Sequence, residues 1–325
     1  MEPLSTATAA AIALEFDLGN MTSSPVFAAR GEQGRIWRLD TARGSWAVKE
    51  PLVPIFEADA AKDARFQLAA RSAGIPLPLP RLTRDGRVVL PAERSANAFG
   101  IRVYQWVELA ADDLVTAAEV GAMAAGLHQI EQVGDPGNVD AWFSEPLGEP
   151  AWVALLDDVR RGAAEWAPAL DHWLPELIAA DSVIAPPQPE LVRTCHRDLN
   201  IENVQRQVDG AVVVLDWENS GAAQPERELA TVICDLAADL SPAAALEGYA
   251  AYLAAGGPAR LRATADFAMA AAVQGRLLQF YSRRALDPSE SSENRARSRT
   301  RLNRMLQQPI TLDVIRDLLE LVAES

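Results

Sequence analysis

Residues 194 to 203 read Thr194-Cys195-His196-Arg197-Asp198-Leu199-Asn200-Ile201-Glu202-Asn203, and Val204 to Leu215 then lead into Asp216-Trp217-Glu218. Within that lead, Asp209-Gly210 separates two runs of strand-forming residues, a strong signal for a two-residue hairpin turn. Such a turn pairs residue 208 with 211, 206 with 213 and 204 with 215, so Asn203 falls opposite Asp216 at the open end. Opposed residues in antiparallel strands have Cα atoms about 4.5 to 5.5 Å apart. An amide oxygen and a carboxylate therefore meet at one point, and hard oxygen donors of this kind suit Mg²⁺, which fills its remaining positions with phosphates and water. Asp198, on the loop entering the hairpin, is placed to face the same point as a base. Asp, Asn and Gly also populate ordinary turns. The full spacing of His-Arg-Asp, four residues, Asn, a hairpin and Asp is far more specific than any single pair within it.

Working outward, the first hundred residues alternate short β-rich runs with turn residues, at Pro25 to Ala28, Arg35 to Leu39, Trp46 to Val48, Arg87 to Leu90 and Ile101 to Trp106. They surround one helical pattern from about Ala58 to Ser72, which ends at Gly74 because Pro76, Pro78 and Pro80 cannot continue it. An alanine-rich opening, Ser5 to Leu14, predicts a short helix packed on this part. From Asp112 onward the spacing of apolar residues turns helical over Asp113 to Ile130, Pro150 to Glu165, Asp171 to Ala180, Leu229 to Leu253 and Ala265 to Arg284. The chain thus divides into a small antiparallel sheet part, residues 1–104, and a larger helical part, residues 105–325. The arginines at 295, 297, 299, 301 and 304 read as the solvated face of a helix rather than as a phosphate or nucleic-acid site.

Composition bounds the function. Residues 1–104 carry 13 Lys+Arg against 11 Asp+Glu, and residues 105–325 carry 17 against 34, so the whole net acidity, −17, lies in the second part. A nucleic acid or an anionic membrane is an unfavourable partner for such a surface, while a polycationic small molecule is attracted to it; plain solubility explains the charge equally well. Two cysteines and three histidines, widely scattered, make neither a disulfide framework nor a zinc spacing. With no basic leader and no apolar run of about 18 residues, a reduced, cytoplasmic protein is expected. A cysteine–histidine nucleophile is excluded at Cys195 and His196, because neighbouring residues of an extended segment point to opposite faces.

The stretch from His196 to Glu218 resembles the catalytic and metal-binding loops of the protein-kinase-like fold, in the form used by aminoglycoside and related antibiotic phosphotransferases. Asp216 is followed by Trp217-Glu218 rather than Phe-Gly, and no Ala-Pro-Glu segment follows, which favours the small-molecule branch. Gln224-Pro225 and Glu228-Leu229-Ala230 continue the likeness, with Glu228 standing where the family usually has Asp. The resemblance implies an α+β, bilobal protein-kinase-like fold: a small N-terminal antiparallel sheet lobe with a helix, and a larger α-helical C-terminal lobe. It implies that Asp198 accepts the proton of a substrate hydroxyl, and that Asn203 and Asp216 hold Mg²⁺ on the phosphates of ATP or GTP.

Further site residues follow from the same likeness. Lys49 closes the strand Trp46-Ala47-Val48-Lys49 where such kinases carry the lysine of the α and β phosphates. It is one of only two lysines among thirty basic residues, which runs against the chain's arginine habit. Its carboxylate partner, counted back from Gly74, is Asp63, with Glu57 and Asp59 as alternatives. Gly31 and Gly34 bound the turn that would cover the phosphates, although a plain hairpin turn explains them as well. The backbone of Gln105 and Val107 would bond adenine. His128 and His196 are expected to pack and orient the catalytic loop. Asp157, Asp158, Glu218 and Glu226 are candidate partners for an acceptor's ammonium groups. The implied activity is transfer of the nucleotide γ-phosphate to a hydroxyl of a small, cationic molecule; a metabolic kinase acting on an amino alcohol, sugar or amino acid, and a nucleotide-binding scaffold without activity, are the rivals.

Overall fold

A computed structural model describes residues 4–32, 34–92, 99–111, 113–131 and 139–323. The chain forms two compact units, one of residues 1–115 and 202–220, the other of residues 116–201 and 221–325.

The first unit is built on a five-stranded antiparallel sheet. Its strands are β1 (Val26–Arg30), β2 (Gly34–Thr41), β3 (Gly44–Pro51), β4 (Pro80–Arg81) and β5 (Arg102–Gln105), in the order β1-β2-β3-β5-β4. Helix α1 (Thr6–Glu15) is capped by the Ser5 hydroxyl and buries Ala9, Ile12 and Ala13 with Trp37, Leu39 and Val48 of the sheet. Alternation along β3 then directs Lys49 to the opposite face from Val48. Helix α2 (Glu57–Ser72) joins that unit, with Phe66 edge-on to Trp217 at 5.5 Å. The strand expected over Arg87 to Leu90 does not form. The amides of Val88 and Val89 instead donate to the Glu57 carboxylate, both at 2.9 Å, and only Leu90 bridges to Ile101.

The division expected at residue 104 differs from the one observed because the hairpin β7 (Val204–Arg206) and β8 (Val212–Val214) belongs to the sheet unit. Ala110 donates to the Arg206 carbonyl at 2.8 Å, Val208 to that of Glu108 at 3.0 Å, and Val214 to that of Pro76 at 3.0 Å. These bonds also keep residues 105–115 with the first unit.

The second unit carries α3 (Ala117–His128), α4 (Ala141–Ser144), α5 (Glu149–Arg161), α6 (Ala167–Ala180), the paired strands β6 (Arg193–Cys195) and β9 (Gly221–Ala223), then α7 (Pro225–Asp239), α8 (Pro242–Ala254), α9 (Ala268–Leu286), α10 (Ser292–Gln307) and α11 (Leu312–Ala323). The single helix expected over 229–253 is broken at Ser241-Pro242, where Ser241 caps the new helix and proline takes its first turn. A core of Trp152, Leu156, Leu170, Leu278 and Leu302 joins α5, α6, α9 and α10. The arginine-rich α10 turns Leu302 and Leu306 into that core; of the arginines expected on a solvated face, Arg299 and Arg304 are exposed, whereas Arg295, Arg297 and Arg301 are half-buried.

Candidate functional site

The hairpin that opens the site is one residue out of the expected register. Val204 pairs with Val214 and Arg206 with Val212, so the connection is three residues, Val208-Asp209-Gly210. The Asp209 carboxylate accepts the amide of Ala211 at 3.0 Å, the Gly210 amide closes on the Gln207 carbonyl at 2.9 Å, and Gly210 takes φ +89°. This is the three-residue loop with a left-handed glycine, the next commonest hairpin after the two-residue one. Asn203 therefore lies opposite Leu215, whose amide donates to its carbonyl at 2.8 Å, and Asp216 stands one residue beyond. Asp216 adopts φ 56°, ψ 62°, a conformation that Asp tolerates better than most side chains, and the chain turns at once into a 3-10 turn over Trp217–Asn219. Trp217, 2% exposed, fixes this turn: its indole donates to the Val214 carbonyl at 3.0 Å, and its own carbonyl accepts the Ser220 hydroxyl at 2.6 Å.

Against that turn lies Lys49. Its Nζ donates to Asp216 Oδ1 at 2.8 Å and to Glu218 Oε2. Burial opposes the ammonium's charge, but the Glu218 and then the Asp216 carboxylate outweigh it and raise the pKa above the ordinary lysine value. Burial, partly offset by Lys49, pushes the Glu218 carboxyl up. Asp63 is not the partner of Lys49: its Oδ2 accepts Arg102 Nη1 at 3.1 Å, and burial, only partly offset by Arg102, pushes it up to about 7. Nor do the alternatives reach the lysine, since Glu57 is spent on Val88 and Val89 and Asp59 binds Lys62 at 3.1 Å. Glu218, expected among the acceptor's ammonium partners, is instead the shared counter-ion of Lys49 and Arg102, with Oε1 3.9 Å from Arg102 Nη1. Arg102 was not anticipated as a site residue; the polar position in Ile101-Arg102-Val103, on a strand directly paired with that of Lys49, was the available signal.

Gly34 lies alongside the lysine, where an added Cβ would meet Lys49 Cε at 3.4 Å, and the Gly31 amide donates to the Gly34 carbonyl at 2.9 Å. Gln33, between them, lies outside the described residues. Gln105 ends β5 with its amide committed to the Leu79 carbonyl at 2.8 Å, and Val107 follows half-buried.

The second unit holds Asp198 on a loop tied down from several sides. Arg197 takes φ 64°, its amide donates to Glu228 Oε1, and its guanidinium stacks on the Phe143 ring at 4.1 Å. Gly221 allows that placement, since a Cβ there would lie 2.5 Å from Arg197 Nη2. The other Glu228 oxygen accepts His128 Nε2 at 2.8 Å, while His128 Nδ1 and the Tyr252 hydroxyl are 3.0 Å apart. Burial raises the Glu228 carboxyl, but the His128 hydrogen bond and the neighbouring donors outweigh it and leave the pKa below the usual carboxylate value. Asp198 Oδ1 accepts Asn200 Nδ2 at 3.0 Å, which orients the carboxylate. The buried trio His128, Cys195 and Glu228 brings ligand-type atoms within 4.8 Å of one another, yet both imidazole nitrogens are engaged and burial raises the thiol, so it forms a polar core under the loop.

Of the acceptor candidates, Asp157 and Asp158 stand on α5, where Asp158 pairs with Arg161, and Glu226 lies in the first turn of α7. Among the described residues no helix is long and apolar enough to cross a membrane.

Comparison with known proteins adds to this geometry. Residues 26–264 match the model of the phosphotransferase enzyme family. Among solved structures, spectinomycin phosphotransferase in complex with ADP and spectinomycin aligns at 12% identity over 98% of this chain and 99% of that one, with a TM-score of 0.66. An amicoumacin kinase in complex with AMP-PNP and Ca²⁺ aligns at 16% identity over 94% and 95%, with a TM-score of 0.60. An aminoglycoside phosphotransferase from Alicyclobacillus acidocaldarius aligns at 15% identity over 92% of each chain, with a TM-score of 0.58. At these identities the likeness is one of fold. No curated protein matches the chain by sequence. The family match spans the glycine turn, Lys49, the hairpin and the Asp198 loop, and the chain belongs to the phosphotransferase enzyme family, as a phosphotransferase of protein-kinase-like fold with an alcohol group as acceptor.

Proposed function

We propose that the protein transfers the γ-phosphate of ATP or GTP to a hydroxyl of a small, cationic molecule such as an aminoglycoside or a related antibiotic, with Mg²⁺. The observation that carries this reading is the meeting of Lys49 with Asp216 in the first unit. A half-buried ammonium and a 45% exposed carboxylate, joined to each other, offer the two signs that a metal–phosphate complex needs.

Lys49 would bind the α and β phosphates, exchanging its carboxylates for phosphate oxygens. Asn203 and Asp216 would hold Mg²⁺; their hard oxygens fit it, and Asp216 Oδ1 already sits against a cation. When bound, the metal neutralises charge on the transferring phosphoryl group. Gln105 has its amide engaged by Leu79, so a base contact at that residue would fall to its carbonyl, with Val107 offering the second backbone contact. Gly31 and Gly34 would let the β1–β2 turn approach the phosphates closely. Asp198, oriented by Asn200, would take the proton from the acceptor hydroxyl as the oxygen attacks phosphorus, and the nucleoside diphosphate would leave. Asp157, Asp158 and Glu226 remain the acidic side chains for an acceptor's ammonium groups, supported by the net charge of −17 in residues 105–325. The expected setting is the cytoplasm.

The test is a coupled nucleoside-diphosphate release screen with ATP and GTP over aminoglycosides, peptide antibiotics, macrolides, choline and simple sugars. Turnover with cationic acceptors alone supports the reading. Turnover only with neutral sugars or macrolides would overturn its substrate class.

A further inference from the structure

The sheet register sets Arg102 of β5 directly opposite Lys49 of β3, so two cations project side by side from one face of an antiparallel pair. Like charges so placed repel, and the structure meets this with two carboxylates. Glu218 faces both cations, with Oε2 on Lys49 and Oε1 3.9 Å from Arg102 Nη1. Asp63 accepts from Arg102 at 3.1 Å, and the Tyr104 hydroxyl lies 3.5 Å from the same Nη1. The side chains of Arg102 and Asp63 are each 8% exposed and that of Glu218 13%, so little water screens the cluster. Lys49, Arg102 and Glu218 also line one small recess.

We infer that Arg102 is a positioning residue for the phosphate lysine: it neutralises Asp63 on α2, holds the far side of Glu218, and so leaves Lys49 aimed at Asp216. The link between helix α2 and the lysine then runs through Asp63, Arg102 and Glu218 rather than through one direct ion pair. Remove the guanidinium, and Glu218 loses the cation 3.9 Å from its Oε1 while it keeps Lys49 on its Oε2. Glu218 then pulls on Lys49 alone, and the ammonium is drawn from Asp216 toward it. A planar guanidinium suits this task because its donors can serve two carboxylates at once, which an ammonium on a flexible stem does less well.

The inference rests on Lys49 being the nucleotide lysine, and the experiment separates the two. Calorimetric affinity for ADP, with EDTA present so that no metal contributes, is measured for wild type, K49M, R102M, R102K and K49M/R102M, with the melting temperature of each. R102M should weaken ADP by roughly tenfold, the scale of a charge-coupled contact, and K49M/R102M should bind no more weakly than K49M. A purely structural role for Arg102 would instead lower the affinity by the same factor with or without Lys49, and that additive result would overturn the inference. Should R102M fail to fold, R102K decides: it keeps the charge but not the two-carboxylate reach, and should still lose ADP affinity several-fold. Wild-type affinity in R102K would overturn the assignment. Unchanged affinity in K49M would overturn the role of Lys49 itself, and this inference with it.

Discussion

Glu228→Gln should destabilise the protein and slow turnover while leaving nucleotide affinity intact, and its size can be worked from two contacts. As a carboxylate Glu228 only accepts, so Arg197 N–H and His128 Nε2–H both donate to it, one to each oxygen. Its side chain is 1% exposed, so water cannot replace either bond. Glutamine keeps the shape but offers one acceptor oxygen and an NH₂, which leaves one of two buried donors facing another donor. Losing a charge-assisted bond and stranding a donor costs about 2 to 3 kcal/mol. For a unit of this size that is a fall in melting temperature of roughly 5 to 10 °C. The Arg197 amide immediately precedes Asp198, so loosening it should lower kcat, whereas Lys49 and Asp216, the proposed nucleotide residues, lie in the other unit. The pH dependence gives a second handle. Because the folded pKa of Glu228 is depressed, its contribution is fully present above the unfolded carboxylate value and is lost as pH falls through the lower folded value. Urea unfolding at neutral and acid pH is the assay: the gap between wild type and E228Q should be full at pH 7 and narrow in acid. Equal stabilities at pH 7, or a gap that widens in acid, would refute an ionised Glu228 at the centre of this network.

Three other outcomes are expected. Asp198→Asn should leave nucleotide affinity nearly unchanged and reduce turnover by about 10²- to 10⁴-fold, the usual worth of general base catalysis, as read by coupled diphosphate release. Asp216→Ala should weaken Mg²⁺-dependent nucleotide binding in calorimetry as well as turnover, since it removes a charged oxygen donor; an unchanged affinity would remove Asp216 from the metal site. If the acidity of residues 105–325 lines the acceptor's path, kcat/KM for a polycationic acceptor at saturating nucleotide should fall several-fold from low to high NaCl, and a flat profile would make the charge a solubility feature only.

Much of the candidate site was legible in the sequence because its residues are chemically scarce. Asp198, Asn203 and Asp216 stand in a spacing that ordinary turns do not produce, and Lys49 is one of two lysines in an arginine-rich chain. What misled was local geometry that letters do not encode. Asp209-Gly210 reads as a two-residue turn, but the Asp209 side chain bonds Ala211 and makes the loop three residues, shifting Asp216 past Asn203. Counting back from Gly74 finds the position of Asp63 on its helix; it cannot show that Arg102 arises opposite Lys49 across two strands far apart in sequence and claims the carboxylate first. Glu228 stands where the family usually has aspartate, and letters alone do not show that its longer side chain spans the Arg197 amide and His128 together.

The central claim is phosphoryl transfer to an acceptor hydroxyl with Asp198 as base, and mass spectrometry of the acceptor tests it most directly. Wild-type protein with ATP or GTP, Mg²⁺ and the best acceptor of the screen should yield acceptor carrying one added phosphoryl group, in amounts equal to the diphosphate released, and Asp198→Asn should reduce both together by about 10²- to 10⁴-fold. Nucleotide bound by the wild type with no phosphorylated acceptor across the whole panel, or product formed equally by Asp198→Asn, would contradict the account.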